Sequence, residues 1–209
     1  MSQPQIDQHT NPPPAFANTA FDVVAIAASA GGLKALSQLL SHLPSDFPAA
    51  VLVLQHLNRS HHSLMADILR RRISLSIKQV EEGDKLSPAQ IYIAQPNYHI
   101  LVNSDGTLSL TQSPLVHFVR PSADLLFESL ANSYQNRAIA VVLTGTGKDG
   151  TQGVKAIAKM GGMVISQNQE TSEHFGMPSS AIDTGIVDLI LPLPDIAETL
   201  IQLVKEGRG

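Results

Sequence analysis

The sequence predicts an α/β fold: a doubly wound, mostly parallel sheet with helices on both faces and a small antiparallel hairpin insertion. Three observations carry this expectation. From Phe21 onward, short apolar runs alternate with stretches whose apolar residues recur at helical spacing. Repeated strand–helix alternation of this kind builds a parallel sheet covered by helices on both sides. The runs Val23–Ala27, Ala50–Leu54 and Ile139–Leu143 are apolar throughout, as strands buried on both faces must be. Between residues 90 and 111 the pattern changes to short alternating segments broken by turn residues, which read as the hairpin.

The elements follow in order. A helix over Leu33–Leu43 separates the first two strands, and Ser63–Arg71 and Ser76–Val80 read as a helix and a short strand. Gln90–Ala94, His99–Val102 and Leu108–Thr111 are assigned to the antiparallel insertion, with turns at Pro96-Asn97 and Asn103-Ser104-Asp105-Gly106. Then come a helix over Ala123–Tyr134, the strand Ile139–Leu143, a helix over Gly150–Lys159 ended by Gly161-Gly162, and a strand over Met163–Gln167. A short helix at Pro178–Ile182, a strand at Val187–Leu191 and a helix at Pro194–Val204 complete the chain. Residues 1–20 are polar, carry Pro12-Pro13-Pro14, and read as a flexible N-terminal tail. Residues 21–209 suit one domain.

Composition removes several classes of function. Of the 209 residues, 43% are hydrophobic and 15% charged, which fits a globular protein. A net charge of −4 gives no electrostatic case for nucleic acid. The longest basic run, Arg70-Arg71-Arg72, suits a helix end. The absence of cysteine removes disulfides, thiol catalysis and thiolate-bound metal, and it suits the cytoplasm. No apolar run reaches the roughly 20 residues of a membrane span, so membrane insertion is not expected. The N-terminus lacks the layout of a secretory signal.

Three residues stand where α/β folds place their chemistry. The strand Val23–Ala27 leads through Ala28 to Ser29, followed by Ala30-Gly31-Gly32 and a helix. Glycines there permit a sharp turn, and the helix offers free N–H groups to an oxyanion or a phosphate. Ser29 reads as nucleophile, phosphate ligand or helix cap. The spacing fits neither G-x-G-x-x-G nor a P-loop, and it departs from G-x-S-x-G because Ala27 precedes Ser29 by two. His56 ends the second buried strand, where it can serve as base to Ser29 or play a structural part. Asp149 lies in Leu143-Thr144-Gly145-Thr146-Gly147-Lys148-Asp149-Gly150. This turn lacks the first P-loop glycine and puts a carboxylate where the hydroxyl belongs, so Asp149 reads as a helix cap or as the group that orients His56. Adjacent His61 and His62 raise a metal site, but neighbouring helical residues diverge by about 100° and no H-E-x-x-H pattern accompanies them. No metal and no cofactor is expected. Three separate caps or one Ser-His-Asp triad account for the same positions, and the triad accounts for them together.

These segments resemble the catalytic domain of the bacterial chemotaxis methylesterase family, CheB. The resemblance rests on Ala28-Ser29-Ala30-Gly31-Gly32, Gln55-His56, Arg120-Pro121-Ser122-Ala123-Asp124, Leu143 to Gly150 as quoted above, and Phe175-Gly176-Met177-Pro178. It runs from about Phe21 to Val204 and places nucleophile, base and orienting acid on Ser29, His56 and Asp149. It implies hydrolysis of glutamate γ-methyl esters on chemoreceptors, with deamidation of receptor glutamines as a second activity. Backbone near Ala30 and Thr146 is expected to hold the oxyanion, with Met177 beside the substrate. The implied partners are the cytoplasmic helices of methyl-accepting chemoreceptors, together with a separate regulatory protein. Ala30 stands where the family commonly has threonine, and Thr146 where well-studied members have methionine. A receiver domain of about 120 residues usually precedes the catalytic domain; the stretch before Phe21 holds none, so a phosphorylation switch in cis is not expected. The Ala30 and Thr146 departures motivate an alternative, a catalytically weak or inactive docking module. Nucleotide binding at the glycine turns is the weakest reading.

Overall fold

The computed structural model describes residues 13–17, 19–56 and 65–206. The elements in chain order are β1 (Val23–Ala28), α1 (Gly32–Leu40), β2 (Ala50–Gln55), α2 (Met65–Arg70), β3 (Ser76–Gln79), β4 (Gln90–Ile93), β5 (His99–Val102) and β6 (Leu108–Thr111). They continue with α3 (Ala123–Tyr134), β7 (Ala138–Val142), α4 (Thr151–Lys159), β8 (Met163–Gln167), α5 (Gly176–Ile182), β9 (Leu189–Leu191) and α6 (Leu193–Glu206). Seven strands form one sheet in the order β3-β4-β2-β1-β7-β8-β9, and every neighbouring pair is parallel. β5 and β6 make a separate antiparallel hairpin.

Strand alternation sorts the core into two layers. Val24, Ile26 and Ala28 of β1 face one side with Val51 and Val53 of β2, under Leu36, Leu39 and Leu40 of α1 and Ile196, Leu200 and Val204 of α6. Val23, Ala25 and Ala27 face the other with Leu52 and Leu54, under Leu126, Phe127 and Leu130 of α3 and Val154 and Ile157 of α4. The hairpin supplies Ile100, Val102 and Leu108 to this second layer. The doubly wound sheet with helices on both faces is therefore the fold that the sequence predicts.

One assignment is corrected. Gln90–Ile93 does not belong to the antiparallel insertion; it lies in the main sheet, parallel to β2 and β3. Its alternation of Gln90, Tyr92 and apolar residues mimics a half-exposed strand, yet Tyr92 is buried and its hydroxyl donates to the Lys85 carbonyl at 2.7 Å. The helix assigned to Ser63–Arg71 is observed over Met65–Arg70, and its first two residues lie outside the described residues, as do His61 and His62.

Part of the polar N-terminal stretch lies against the domain. Phe16 N–H and the Thr19 hydroxyl donate to Asp22 Oδ1. The buried Asp22 carboxylate pairs with Arg137, which also donates to the Pro13 carbonyl at 2.5 Å and lies over the Tyr134 ring. These contacts gather at the amino ends of β1 and β7, the edge opposite the candidate site. Among the described residues, no helix is long and apolar enough to cross a membrane.

Candidate active site

The winding direction reverses at β1: α1 leads to β2 on one side, while β7 arrives on the other. The carboxyl edge at such a switch point is a natural crevice. Ser29, His56 and Asp149 all emerge there. Ala28 pairs with Gln55 in parallel register, so Ser29 and His56 are the next residues of adjacent strands, about 5 Å apart along the backbone. His56 N–H donates to the Ala28 carbonyl and Ser29 N–H to the Thr144 carbonyl, both at 3.0 Å. The ladder thus holds both residues until their side chains leave the sheet.

Neither acidic nor hydroxyl member caps its own helix. Gly31 is the N-cap of α1 with φ 77°, and Gly150 is the N-cap of α4 with φ 100°. At Gly31 a left-handed turn is required, and an added Cβ would lie 3.0 Å from Glu173 Cβ. Gly32 is equally constrained, because the Gln55 side-chain oxygen occupies the space a Cβ would need. Gln55 in turn donates through Nε2 to the Ser29 carbonyl at 2.6 Å.

Freed from its own helix, the Asp149 carboxylate binds across the site. Oδ2 accepts from His56 Nε2 at 2.8 Å and from Ala123 N–H at 2.6 Å. Oδ1 accepts from the Ser122 hydroxyl at 2.8 Å and from Asp124 N–H at 3.2 Å. Burial alone would raise this carboxyl, but the bonds from His56, Ala123 and Ser122 outweigh it and hold its pKa below the ordinary value. Because Nε2 of His56 is the donor to Asp149, Nδ1 is the basic nitrogen. Among the described residues, neither Nδ1 nor Ser29 Oγ is engaged in a hydrogen bond.

A second histidine supports the same network. His99 is fully buried; its Nδ1 accepts from Ser122 N–H at 3.1 Å and its Nε2 donates to the Pro114 carbonyl at 3.2 Å. Burial lowers its pKa, in keeping with a neutral ring. Asp124 returns the favour to α4 by accepting from Gln152 N–H and Gly153 N–H. Asp149 therefore caps α3, and Asp124 caps α4.

The remaining residues named from sequence lie nearby. Ala30 is half-buried, and its carbonyl accepts from the Thr144 hydroxyl at 3.0 Å. Thr146 is exposed on the loop after β7. Met177 is buried: a Cβ on Gly145 would lie 2.5 Å from Met177 Sδ and 2.8 Å from Ser29 Cβ, so Gly145 brings the two together. Arg120 clamps its loop through the Gln112 and Ser113 carbonyls and Asn97 Oδ1. Sequence reasoning gave no role to Gln55, His99, Thr144 or Gln167. Thr144 Oγ1 accepts from His174 N–H at 2.8 Å, and Gln167 Oε1 accepts from Thr144 N–H at 2.8 Å. A usable signal existed: Gln55 and Gln167 are polar residues ending buried strands, as Ser29 and His56 nearly are.

This arrangement defines a class: a doubly wound α/β protein with a Ser–His–Asp cluster at its switch point. The family model described as CheB methylesterase matches residues 24–200. The solved catalytic domain of the Thermotoga maritima CheB methylesterase superposes with a TM-score of 0.85 at 36% identity, over 88% of this chain and 99% of that one. A protein-glutamate methylesterase/protein-glutamine glutaminase of Pseudomonas syringae is 41% identical over 88% of this chain and 55% of its own length. One from Pyrococcus horikoshii is 38% identical over 89% of this chain and 51% of its own length. A Leptospira interrogans relative, provisionally named for the same two activities, is 37% identical over 88% of this chain and 95% of its own length. The chain belongs to the CheB methylesterase family, a family of ester hydrolases, and has the fold of its catalytic domain.

Proposed function

We propose that this chain hydrolyses glutamate γ-methyl esters on chemoreceptor helices, with Ser29 as nucleophile, His56 as base and Asp149 as orienting acid. The observation that carries the reading is the 2.8 Å bond from His56 Nε2 to Asp149, made by the residue that follows the strand next to that of Ser29. Ser29 Oγ attacks the γ-carbonyl carbon while its proton passes to Nδ1. The tetrahedral oxyanion collapses, the bond to methoxide breaks, and Nδ1–H returns the proton to departing methanol. Water then attacks the acyl-serine by the same relay, leaving the glutamate carboxylic acid, which ionises, and free Ser29. On a glutamine side chain the same steps release ammonia. Backbone N–H groups of Ala30 and Thr146 hold the oxyanion, and Met177 fixes the Gly145–Thr146 backbone that presents one of them. These roles require backbone donors only, so a methyl group at Ala30 does not abolish them. The setting is cytoplasmic, and control comes from a separate regulatory protein.

Methanol release from methylated receptor membranes tests the assignment. Ser29→Ala and His56→Ala are expected to lower turnover by about three orders of magnitude or more, and Asp149→Ala by a comparable amount. Release by Ser29→Ala equal to that of the wild type overturns the nucleophile.

A further inference from the structure

Four large apolar side chains are exposed among the described residues: Ile68, Leu115, Phe118 and Ile190. Ile68 shares the wall of a cavity of about 710 Å³ with Ser29, Gly32, Lys34, Gln55 and Arg72. Among the described residues, no carboxylate lines that cavity and neither Lys34 nor Arg72 forms an ion pair. Glu173 lies against Gly31 in a separate cavity of about 160 Å³ that shares Lys34, and Asp67, next to Ile68, is paired with Arg70.

Leu115 and Phe118 precede α3, which covers the sheet face opposite to α1 and α2. They belong to the loop that leads into α3, which is joined to the Asp149 network by His117: its Nε2 lies 3.2 Å from Asp124 Oδ2, and Asp124 N–H donates to Asp149. His117 and Phe118 form the tip of a two-residue turn between Val116 and Val119, whose backbones exchange hydrogen bonds. Both tip residues are left-handed, at φ 47° and 64°, a conformation that favours Asn or Gly. Phe118 is nevertheless 92% exposed. Neither local geometry nor core packing accounts for phenylalanine there; a rigid exposed aromatic is the raw material of a binding hot spot.

We propose that Phe118 and Leu115 on one flank, and Ile68, Lys34 and Arg72 on the other, dock an acidic amphipathic helix whose esterified side chain enters between them. The inference rests on the methylesterase reading and extends it to the residues that recognise the substrate. The occupant follows from complementarity: apolar residues on both flanks match an apolar helical stripe, and two cations in an otherwise acidic protein match carboxylates beside it.

The probe is a synthetic helical peptide with one glutamate γ-methyl ester, leucines on one side of it and glutamates on the other. Phe118→Asn is expected to raise KM about tenfold with kcat little changed, and to hold or raise thermal stability because asparagine tolerates the left-handed turn. The double variant Lys34→Gln/Arg72→Gln is expected to raise KM and flatten its dependence on salt. Ile190→Thr, on the edge strand β9, is expected to change neither. Unchanged KM in both sets of variants overturns the docking surface and leaves the methylesterase reading intact. Fluorescence anisotropy of labelled peptide on Ser29→Ala separates the two claims. Binding that depends on Phe118, without methanol release by the wild type, overturns the methylesterase reading and supports the surface. Binding indifferent to Phe118, Lys34 and Arg72 overturns the surface.

Discussion

The Asp149 carboxylate accepts hydrogen bonds from His56, Ser122, Ala123 and Asp124, and each satisfies an oxygen that burial would otherwise leave bare. Against burial, which acts to raise it, these bonds depress its folded pKa, so its contribution to stability is present above the unfolded value of about 3.9. That contribution drains away as pH falls through the lower folded value. Asp124 has the opposite sign: burial raises its pKa against the N–H bonds from Gly153 and Gln152, with neighbouring Asp149 adding to the rise. Its contribution is present at low pH and is lost as pH rises through the folded value. Thermal unfolding followed from about pH 5 down to 2 should therefore show a shallower acid loss for Asp149→Asn than for wild type; equal slopes would contradict this role. Ser29, His56 and Asp149 could be singled out as candidates because each stands at or just beyond the end of a buried apolar strand. His99 was not, because nothing along the chain announces that its Nδ1 meets Ser122 N–H in the fold.

Two helix starts, α3 and α4, cap one another through Asp149 and Asp124, and the helices cross at a position that only glycine permits. A Cβ on Gly153 would lie 2.5 Å from Phe127 Cβ and 3.1 Å from the Asp124 backbone. Alanine ordinarily improves a helix by about 1 kcal/mol over glycine, but here backbone must move to admit it. Gly153→Ala is expected to destabilise the fold by about 1–3 kcal/mol, read as a lower denaturation midpoint, and to slow the enzyme as the Asp149 turn shifts. A midpoint at or above that of the wild type would show that the helices can separate freely. The central elements were legible for a simple reason: β1, β2 and β7 are buried on both faces and read as continuous apolar runs. β4 was misplaced because four residues are too few to display a period, and Tyr92 hides its hydroxyl on a carbonyl that sequence does not reveal.

Across the whole molecule, the sheet separates two tasks. Its amino edge carries the Asp22–Arg137 pair, which also holds Pro13, while its carboxyl edge gathers His56 and the loops after β1, β7 and β8. Thr144 and Gln167 join the serine turn, the loop after β7 and the loop after β8 by hydrogen bonds into one frame. In the proposed reaction this frame presents Ser29 as a nucleophile activated by His56. Labelling with a serine-directed phosphonate, followed by peptide mapping, tests it most directly. A single adduct on Ser29 is expected in the wild type, with labelling slowed by at least about 100-fold in His56→Ala. An unmodified Ser29, or a labelling rate indifferent to His56, would contradict it.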